Sequence, residues 1–286
     1  MAGTKGGKIP HGMKPPTLFL VPTPIGNLRD ITLRALDVLG EADLIACEDT
    51  RHTRKLLQVY GIRAPLVSYE KFSEARKASA IISHLEDGKS VALVSDAGTP
   101  LMSDPGAVLV SRVRARGFRI EGLPGPCAFV AALSASGFEG PFRFMGFFPR
   151  QASAAKRELT RMGLTPDITV FYESPHRILT TLGLMSTLLG DREICLAREI
   201  SKVHEEYLAG TPGEVLRELQ SREAIGEVTV IVRGSSAGGS IDDDALRERA
   251  RTLLAAGFSK KDVLRALTEE TGLGRNRIYE LLLALE

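Results

Sequence analysis

Glu48-Asp49-Thr50-Arg51-His52 sets two carboxylates, a guanidinium and an imidazole directly after the apolar run Leu44-Ile45-Ala46-Cys47. Ionisable groups crowded at the end of a buried strand are suited to moving a proton or gripping a charged substrate. A helix cap with ordinary ion pairs is the other reading of the same residues. A second polar group, Glu173-Ser174-Pro175-His176-Arg177, follows Phe171-Tyr172, and Glu173 there is either a site acid or a helix-capping one. The third segment is Ser95-Asp96-Ala97-Gly98-Thr99-Pro100-Leu101-Met102-Ser103-Asp104-Pro105-Gly106, which follows Val91-Ala92-Leu93-Val94. Its small and helix-breaking residues expose backbone groups at a strand end, where open α/β sheets bind ligands. Gly98 lets a ligand approach the main chain, and Pro100 and Pro105 stiffen the loop. Pro22–Leu28 and Leu123-Pro124-Gly125-Pro126-Cys127-Ala128 are further turns of this kind. The small residues of the latter leave room for a flat ligand, or serve only a crossing between domains. There is no GxGxxG fingerprint and no GxxxxGK[ST] loop, which argues against nicotinamide and ATP.

Positive charge is gathered locally. Arg51, His52, Arg54 and Lys55 form one cluster; Arg143, Arg150, Lys156, Arg157 and Arg161 form another, against Glu158 alone. Such runs are solvated faces or, beside a ligand loop, phosphate contacts. Arg51, Arg54, Arg150, Arg157 and Arg177 are the candidates for phosphate. His204 has no partner at metal spacing and reads as a surface residue, and no metal site is expected.

These groups need a scaffold, and the chain alternates strand and helix signals to supply one. Strands are expected at Thr17–Val21, Leu44–Cys47, Leu66–Tyr69, Val91–Val94 and Phe118–Glu121. Leu33, Leu36 and Leu39 recur at helical spacing after Asp30 or Thr32 as cap, and helices follow over 53–59, 74–87 and 105–116, the second of them amphipathic. This alternation implies a mostly parallel sheet covered by helices. After residue 122 a second unit carries strands at Arg143–Phe148, Ile168–Tyr172, Glu193–Arg198, Glu206–Ala209 and Glu227–Arg233, some antiparallel. Its helices are expected over 126–135, 151–162, 175–189 and 212–221. Gly234–Ser240 has linker composition. Three short helices over 242–256, 259–271 and 274–285 then resemble a helix-turn-helix arrangement. That last segment holds eight Lys/Arg and nine Asp/Glu, with Arg275, Asn276 and Arg277 its only obvious nucleic-acid contacts.

The expected organisation is thus an arm over 1–16, an α/β domain over 17–122, a second over 123–233, a linker over 234–241 and a helical domain over 242–286. Residues 1–16 lack an apolar stretch and read as a disordered arm or expression remnant, not a secretory signal. The 286 residues, 43% hydrophobic and 25% charged, suit a soluble globular protein. A net charge of +2 does not by itself argue for nucleic acid. No apolar run reaches the roughly 20 residues of a membrane span. Cys47, Cys127 and Cys195 lie far apart without CxxC spacing, which favours reduced thiols in a cytoplasm.

Taken together, Val21-Pro22-Thr23-Pro24-Ile25-Gly26-Asn27-Leu28, Glu48-Asp49-Thr50-Arg51, Ser95–Pro100 and Tyr172-Glu173-Ser174-Pro175-His176-Arg177 resemble the tetrapyrrole-methylase family. The nearest resemblance is to its ribosomal RNA small-subunit methyltransferase I group, over residues 17–233, with 242–286 similar to that group's appended helical domain. The resemblance implies a two-domain α/β fold with a parallel N-terminal sheet, a mixed second sheet and a small C-terminal helical domain. It implies S-adenosylmethionine bound between two α/β domains, and 2′-O-methylation of a cytidine ribose in 16S rRNA of the 30S subunit. It further implies a homodimer. Gly98-Thr99-Pro100 stands where the tetrapyrrole branch tends to carry Gly-Asp-Pro, which argues against a porphyrin substrate. By matching position, the resemblance implicates Pro24, Gly98, Thr99, Met102, Cys127, Ala128, Glu173, Ser174 and Val228 in cofactor binding. Cys127 replaces a Thr often found there, so a hydroxyl contact is absent.

For a ribose hydroxyl attacking an activated methyl, the protein's work is alignment and handling of one proton. Glu48 and Asp49, then Asp96 and His176, are the candidate bases. Arg51 or Arg177 would grip a phosphate. Phe144, Phe147 and Phe148 are either base stackers or core. Methylation of a tetrapyrrole or other small molecule on the same fold, and a non-catalytic RNA- or ribosome-binding module, are the competing readings.

Overall fold

The computed structural model describes residues 15–70, 74–220, 226–235, 243–271 and 273–284. Nearly all of the expected N-terminal arm and most of the expected linker lie outside them. The chain divides into two compact units, Met1–Cys127 and Ala128–Glu286.

The first unit is built on five parallel strands: β1 (Thr17–Leu20), β2 (Leu44–Cys47), β3 (Leu66–Ser68), β4 (Val91–Val94) and β5 (Arg119–Gly122). Their order is β3-β2-β4-β1-β5. The inner strands β2 and β4 are buried along their whole length, as continuous apolar runs require when helices cover both faces. Alternation divides their side chains. Leu44, Ala46, Val91 and Leu93 face a core closed by Ile81, Ile82 and Leu85 of helix α3 (Glu74–Glu86) and Leu109 and Val113 of α4 (Ala107–Ala115). Ile45, Cys47, Ala92 and Val94 face the opposite core, closed by Ala35 and Leu39 of α1 (Leu33–Glu41) and Leu57 of α2 (Thr50–Val59). Thr32 caps α1 by accepting the Ala35 N–H at 3.0 Å, while Asp30 ends a preceding 3-10 turn.

Strand order fixes where a ligand would sit. From β1 the chain crosses toward β2 and β3; from β4 it crosses the other way, to β5. Neighbouring strands whose connections diverge form a topological switch point, and the crevice opens at their carboxyl ends. The loops at that point are Pro22–Leu28 after β1 and Ser95–Gly106 after β4.

The second unit carries a mixed sheet in the order β6-β7-β10-β8-β9, with strands Phe142–Phe147, Ile168–Glu173, Val228–Val232, Ile194–Arg198 and Glu206–Gly210 respectively. Only β6 and β7 run parallel; the other neighbours are antiparallel. Helix α5 (Ala128–Ser136) packs on one side of the sheet, against β7, β10, β8 and β9. The main core lies on the other side, under α6 (Ala152–Leu164), α7 (Ile178–Leu189) and α8 (Pro212–Gln220). The three terminal helices, α9 (Asp243–Ala255), α10 (Lys260–Thr271) and α11 (Arg275–Leu283), share it. Leu246, Leu253, Val263, Leu267 and Ile278 join one continuous apolar cluster with Leu159 of α6 and Leu182 of α7. The terminal helical segment is therefore packed into the second unit, with its apolar faces completing that core.

Candidate functional site

In the first unit the two switch-point loops are clasped through main chain. Thr23 N–H donates to Gly98 O at 3.0 Å and Gly98 N–H to Thr23 O at 2.9 Å, a single antiparallel bridge. Thr23 Oγ1 donates to Ser95 O at 3.0 Å, and Thr99 Oγ1 to Pro126 O at 2.9 Å, so the turn before Cys127 is tied to the same loop. Gly98 has φ +79°, and a Cβ there would stand 3.3 Å from Ile25 Cγ2. Only glycine adopts that conformation freely. Gly98 and Thr99 are thus tied to Thr23 and Pro126, the chain neighbours of Pro24 and Cys127, with Met102 on the exposed limb of the loop. Leu101 (φ 70°) and Ser103 (φ 86°) are also left-handed, a cost of about 1–3 kcal/mol each that clusters at functional loops.

The acids sit beside this clasp because β2 and β4 are neighbours, in register through Cys47 and Val94. The residues that follow continue the pairing, and Asp49 N–H donates to Asp96 Oδ1 at 3.0 Å. Asp49 is the N-cap of α2, its Oδ1 accepting the Arg51 N–H at 2.8 Å, and Arg51 Nη2 bonds Oδ2 at 2.8 Å. Hydrogen bonds from Arg51 hold the Asp49 carboxyl well below the usual carboxylate range. Glu48 is the opposite case. Partial burial first, then the charges of Asp104, Asp96 and Glu70, push its carboxyl up. Asp104 is raised too, by burial and by Asp96, against a lowering hydrogen bond with Ser95. A weakly basic, fully paired Asp49 thus stands next to a more basic Glu48. Cys47 is buried and its thiol raised, chiefly by that burial.

In the second unit, register brings Glu173 and Val228 opposite each other on β7 and β10. The Glu173 side chain is fully buried, and it is neither an open site acid nor the cap of α7. Oε1 accepts the Ser174 N–H at 2.7 Å and pairs with Arg177, while Oε2 accepts Thr181 Oγ1 at 2.7 Å. Arg177 also donates to Phe148 O at 3.0 Å and Pro149 O at 3.3 Å. The network fixes the turn after β7 to the end of β6 and leaves main-chain groups of Glu173 and Ser174 at the strand end. Arg177, expected to grip phosphate, is thereby engaged inside the protein. His176 is exposed in the same turn, and Ala128 opens α5 over β7 and β10.

Three cations of the second basic cluster also have partners within the protein. Arg143 and Arg161 share Glu158, and Lys156 reaches Ala256 O at 3.1 Å with Phe258 beneath it. Arg150 and Arg157 stay exposed, as do Arg51 and Arg54. Phe148 is core, against Phe171; Phe144 stacks on Phe129 at 4.3 Å; Phe147 is 64% exposed. Arg277 pairs with Asp243 at 2.8 Å. No disulfide joins the three cysteines. Among the described residues no group of acids, His and Cys is placed to hold a metal, and no helix is long and apolar enough to cross a membrane.

The family model for Tetrapyrrole (Corrin/Porphyrin) Methylases matches residues 17–216. A protein of Micromonospora olivasterospora named Ribosomal RNA small subunit methyltransferase I is 42% identical over 267 residues, 92% of this chain and 85% of its own length. The protein of that name in Bacillus subtilis is 40% identical, covering 92% of each chain. The chain belongs to the tetrapyrrole methylase family, in its ribosomal RNA small subunit methyltransferase I group. Among solved structures, a cobalt precorrin-4 methyltransferase of cobalamin biosynthesis superimposes with a TM-score of 0.56 at 15% identity, over 76% of this chain and 94% of that one. That likeness carries the fold.

As a tetrapyrrole methylase, the chain has the expected parallel first sheet, mixed second sheet and terminal helices. Two residues of the methylase strand ends escaped the sequence reading. Asp104 lies in the loop already singled out, and a second acid there, eight residues after Asp96 and three before α4, was the available signal. Thr181 stands one helical turn after Arg177, the spacing at which helix neighbours meet.

Proposed function

We propose that this methylase transfers a methyl group from S-adenosylmethionine to the 2′-oxygen of a cytidine ribose in 16S rRNA of the 30S subunit, in the cytoplasm and as a homodimer. The observation that carries the reading is identity of 40–42% over 92% of the chain to proteins named Ribosomal RNA small subunit methyltransferase I in two bacteria. The residues suit this donor. A strand end made of main chain and small side chains, with Gly98 in a left-handed conformation and a Cβ there crowding Ile25, fits a flat adenosine better than a charged phosphate group. Pro24, Gly98, Thr99, Met102 and Cys127 of the first unit, and Ala128, Glu173, Ser174 and Val228 of the second, would hold it. S-adenosylmethionine supplies an electrophilic methyl carbon on a sulfonium, so no further activation of that carbon is needed.

What the protein adds is orientation and a base. Holding the reactants as a near-attack pair is worth about 7–11 kcal/mol. Glu48 takes the proton of the ribose 2′-hydroxyl on a carboxylate oxygen and returns it to water. Its raised pKa makes it a better base than Asp49, which Arg51 neutralises. Asp49 and Asp96 shape the strand end and His176 is exposed, so these three are secondary candidates. Arg51, Arg54, Arg150 and Arg157 meet phosphates, and Arg177 positions the turn that carries Ser174. Exposed Phe142 and Phe147 on the edge strand β6 are the apolar surface a second copy would cover.

Tritiated methyl transfer to 30S subunits, deproteinised 16S rRNA and a precursor porphyrin tests the reading. Label in RNA is expected. Label in the porphyrin alone would assign small-molecule methylation, and donor binding without transfer to any acceptor would assign a non-catalytic module.

A further inference from the structure

From Thr50 to Ser68 the chain has four Arg/Lys and no Asp or Glu, in a protein whose net charge is only +2. This charge is placed on one surface. Helix α2 buries Thr53, Leu56 and Leu57, which leaves Arg51, Arg54, Lys55 and Gln58 on a single exposed stripe about 10 Å long. The stripe begins at the Glu48–Asp49 strand end and runs down into a groove of about 650 Å³ between α2 and the edge strand β3. Arg54, Gln58 and Arg63 are the polar residues on its rim, and its floor is apolar, with Leu57, Ile62 and Leu66. Arg54 and Arg63 are exposed and have no ion-pair partner among the described residues. Two unneutralised cations spaced along a groove, with the Gln58 amide beside them, suit a chain of spaced anions more than a single one.

We propose that the exposed stripe of α2 and the α2–β3 groove form a track for the phosphodiester backbone of single-stranded RNA flanking the methylated nucleotide. The proposal rests on the rRNA reading and adds a second binding region to the strand end where methyl transfer occurs. It commits the far end of the track to Arg63, which lies outside every motif of the strand-end loops.

The double variant Arg54→Gln/Arg63→Gln tests it, compared with Arg116→Gln/Arg119→Gln, which removes the same charge from the α4–β5 side of the unit. Affinities for 30S subunits and for deproteinised 16S rRNA are measured against salt concentration, with donor affinity and melting temperature as controls for folding. Two lost phosphate contacts should lower the slope of log K against log salt by about 1.4, at roughly 0.7 per contact on a single strand. The Arg116/Arg119 variant should keep the wild-type slope. An unchanged slope in Arg54→Gln/Arg63→Gln overturns the track, and wild-type methylation of RNA in the same preparation leaves the rRNA reading standing. Weakening on 30S subunits but not on free rRNA also overturns it, since the groove would then meet a ribosomal protein. A wild-type protein that neither binds nor methylates RNA overturns both.

Discussion

Glu48, Asp49 and Asp96 stand at the ends of two neighbouring strands, and their surroundings separate their work. Asp49 spends both oxygens on Arg51 and the first turn of α2, and Asp96 accepts the Asp49 N–H. Partial burial first, and neighbouring carboxylates second, make the ionised form of Glu48 costly. A carboxylate raised in the folded state lowers stability as pH climbs from its unfolded value through its folded one, because the folded state binds the extra proton. Glu48→Gln should therefore raise the melting temperature at neutral pH, and the gain should vanish at acid pH below the carboxylate range. Donor affinity by calorimetry should stay unchanged while turnover falls about 10²–10⁴-fold, the usual share of a general base. Normal turnover would remove Glu48 from the chemistry. Gly98→Arg should abolish donor binding outright; its melting curve tells site loss from misfolding. That these acids cluster was legible in sequence, since each follows an apolar run. Which of them is basic was not, because Asp104 and Glu70 come from other parts of the chain.

At the level of elements, the Glu173–Arg177–Thr181 network shows how a strand end is held in place. A buried carboxylate is tolerable only when its acceptors are filled, and here they are filled by a main-chain N–H, a guanidinium and a hydroxyl. Thr181→Val removes the donor to Oε2 at nearly constant volume, which should cost about 1–3 kcal/mol in urea denaturation. The turn carrying Ser174 should loosen with it, so donor affinity should weaken as well. A fully stable Thr181→Val protein would show that Glu173 finds another donor. Sequence pattern located nearly every strand and helix to within three residues, because apolar runs, Gly/Pro turns and helical spacing are local signals. It could not tell which polar side chains turn inward. Arg177 looked like a phosphate ligand and serves as a clamp, since burial depends on what β6 brings to it.

For the whole molecule, the order β3-β2-β4-β1-β5 explains why two loops 70 residues apart in sequence meet as a clasp. Strand order depends on non-local pairing, so it was not legible in the sequence. The terminal helices are a second whole-molecule lesson. They carry a helix-turn-helix pattern, yet their apolar faces fill the core of the second unit. Leu253 is fully buried there, and Leu253→Ala should cost about 2–5 kcal/mol. Hydrogen exchange should then speed in α6 and α7 along with α9–α11; faster exchange in α9–α11 alone would mark them as an independent module. The atom that is methylated can be read directly, because 2′-O-methylation leaves a distinctive trace. Alkali cleaves RNA through the 2′-hydroxyl, so a methylated ribose protects its own 3′ phosphodiester. The decisive measurement is alkaline hydrolysis and nucleoside mass spectrometry of 16S rRNA from 30S subunits incubated with the protein and isotopically labelled S-adenosylmethionine. One alkali-resistant dinucleotide bearing labelled 2′-O-methylcytidine is the predicted result; label on a base, or none in RNA, would contradict the account.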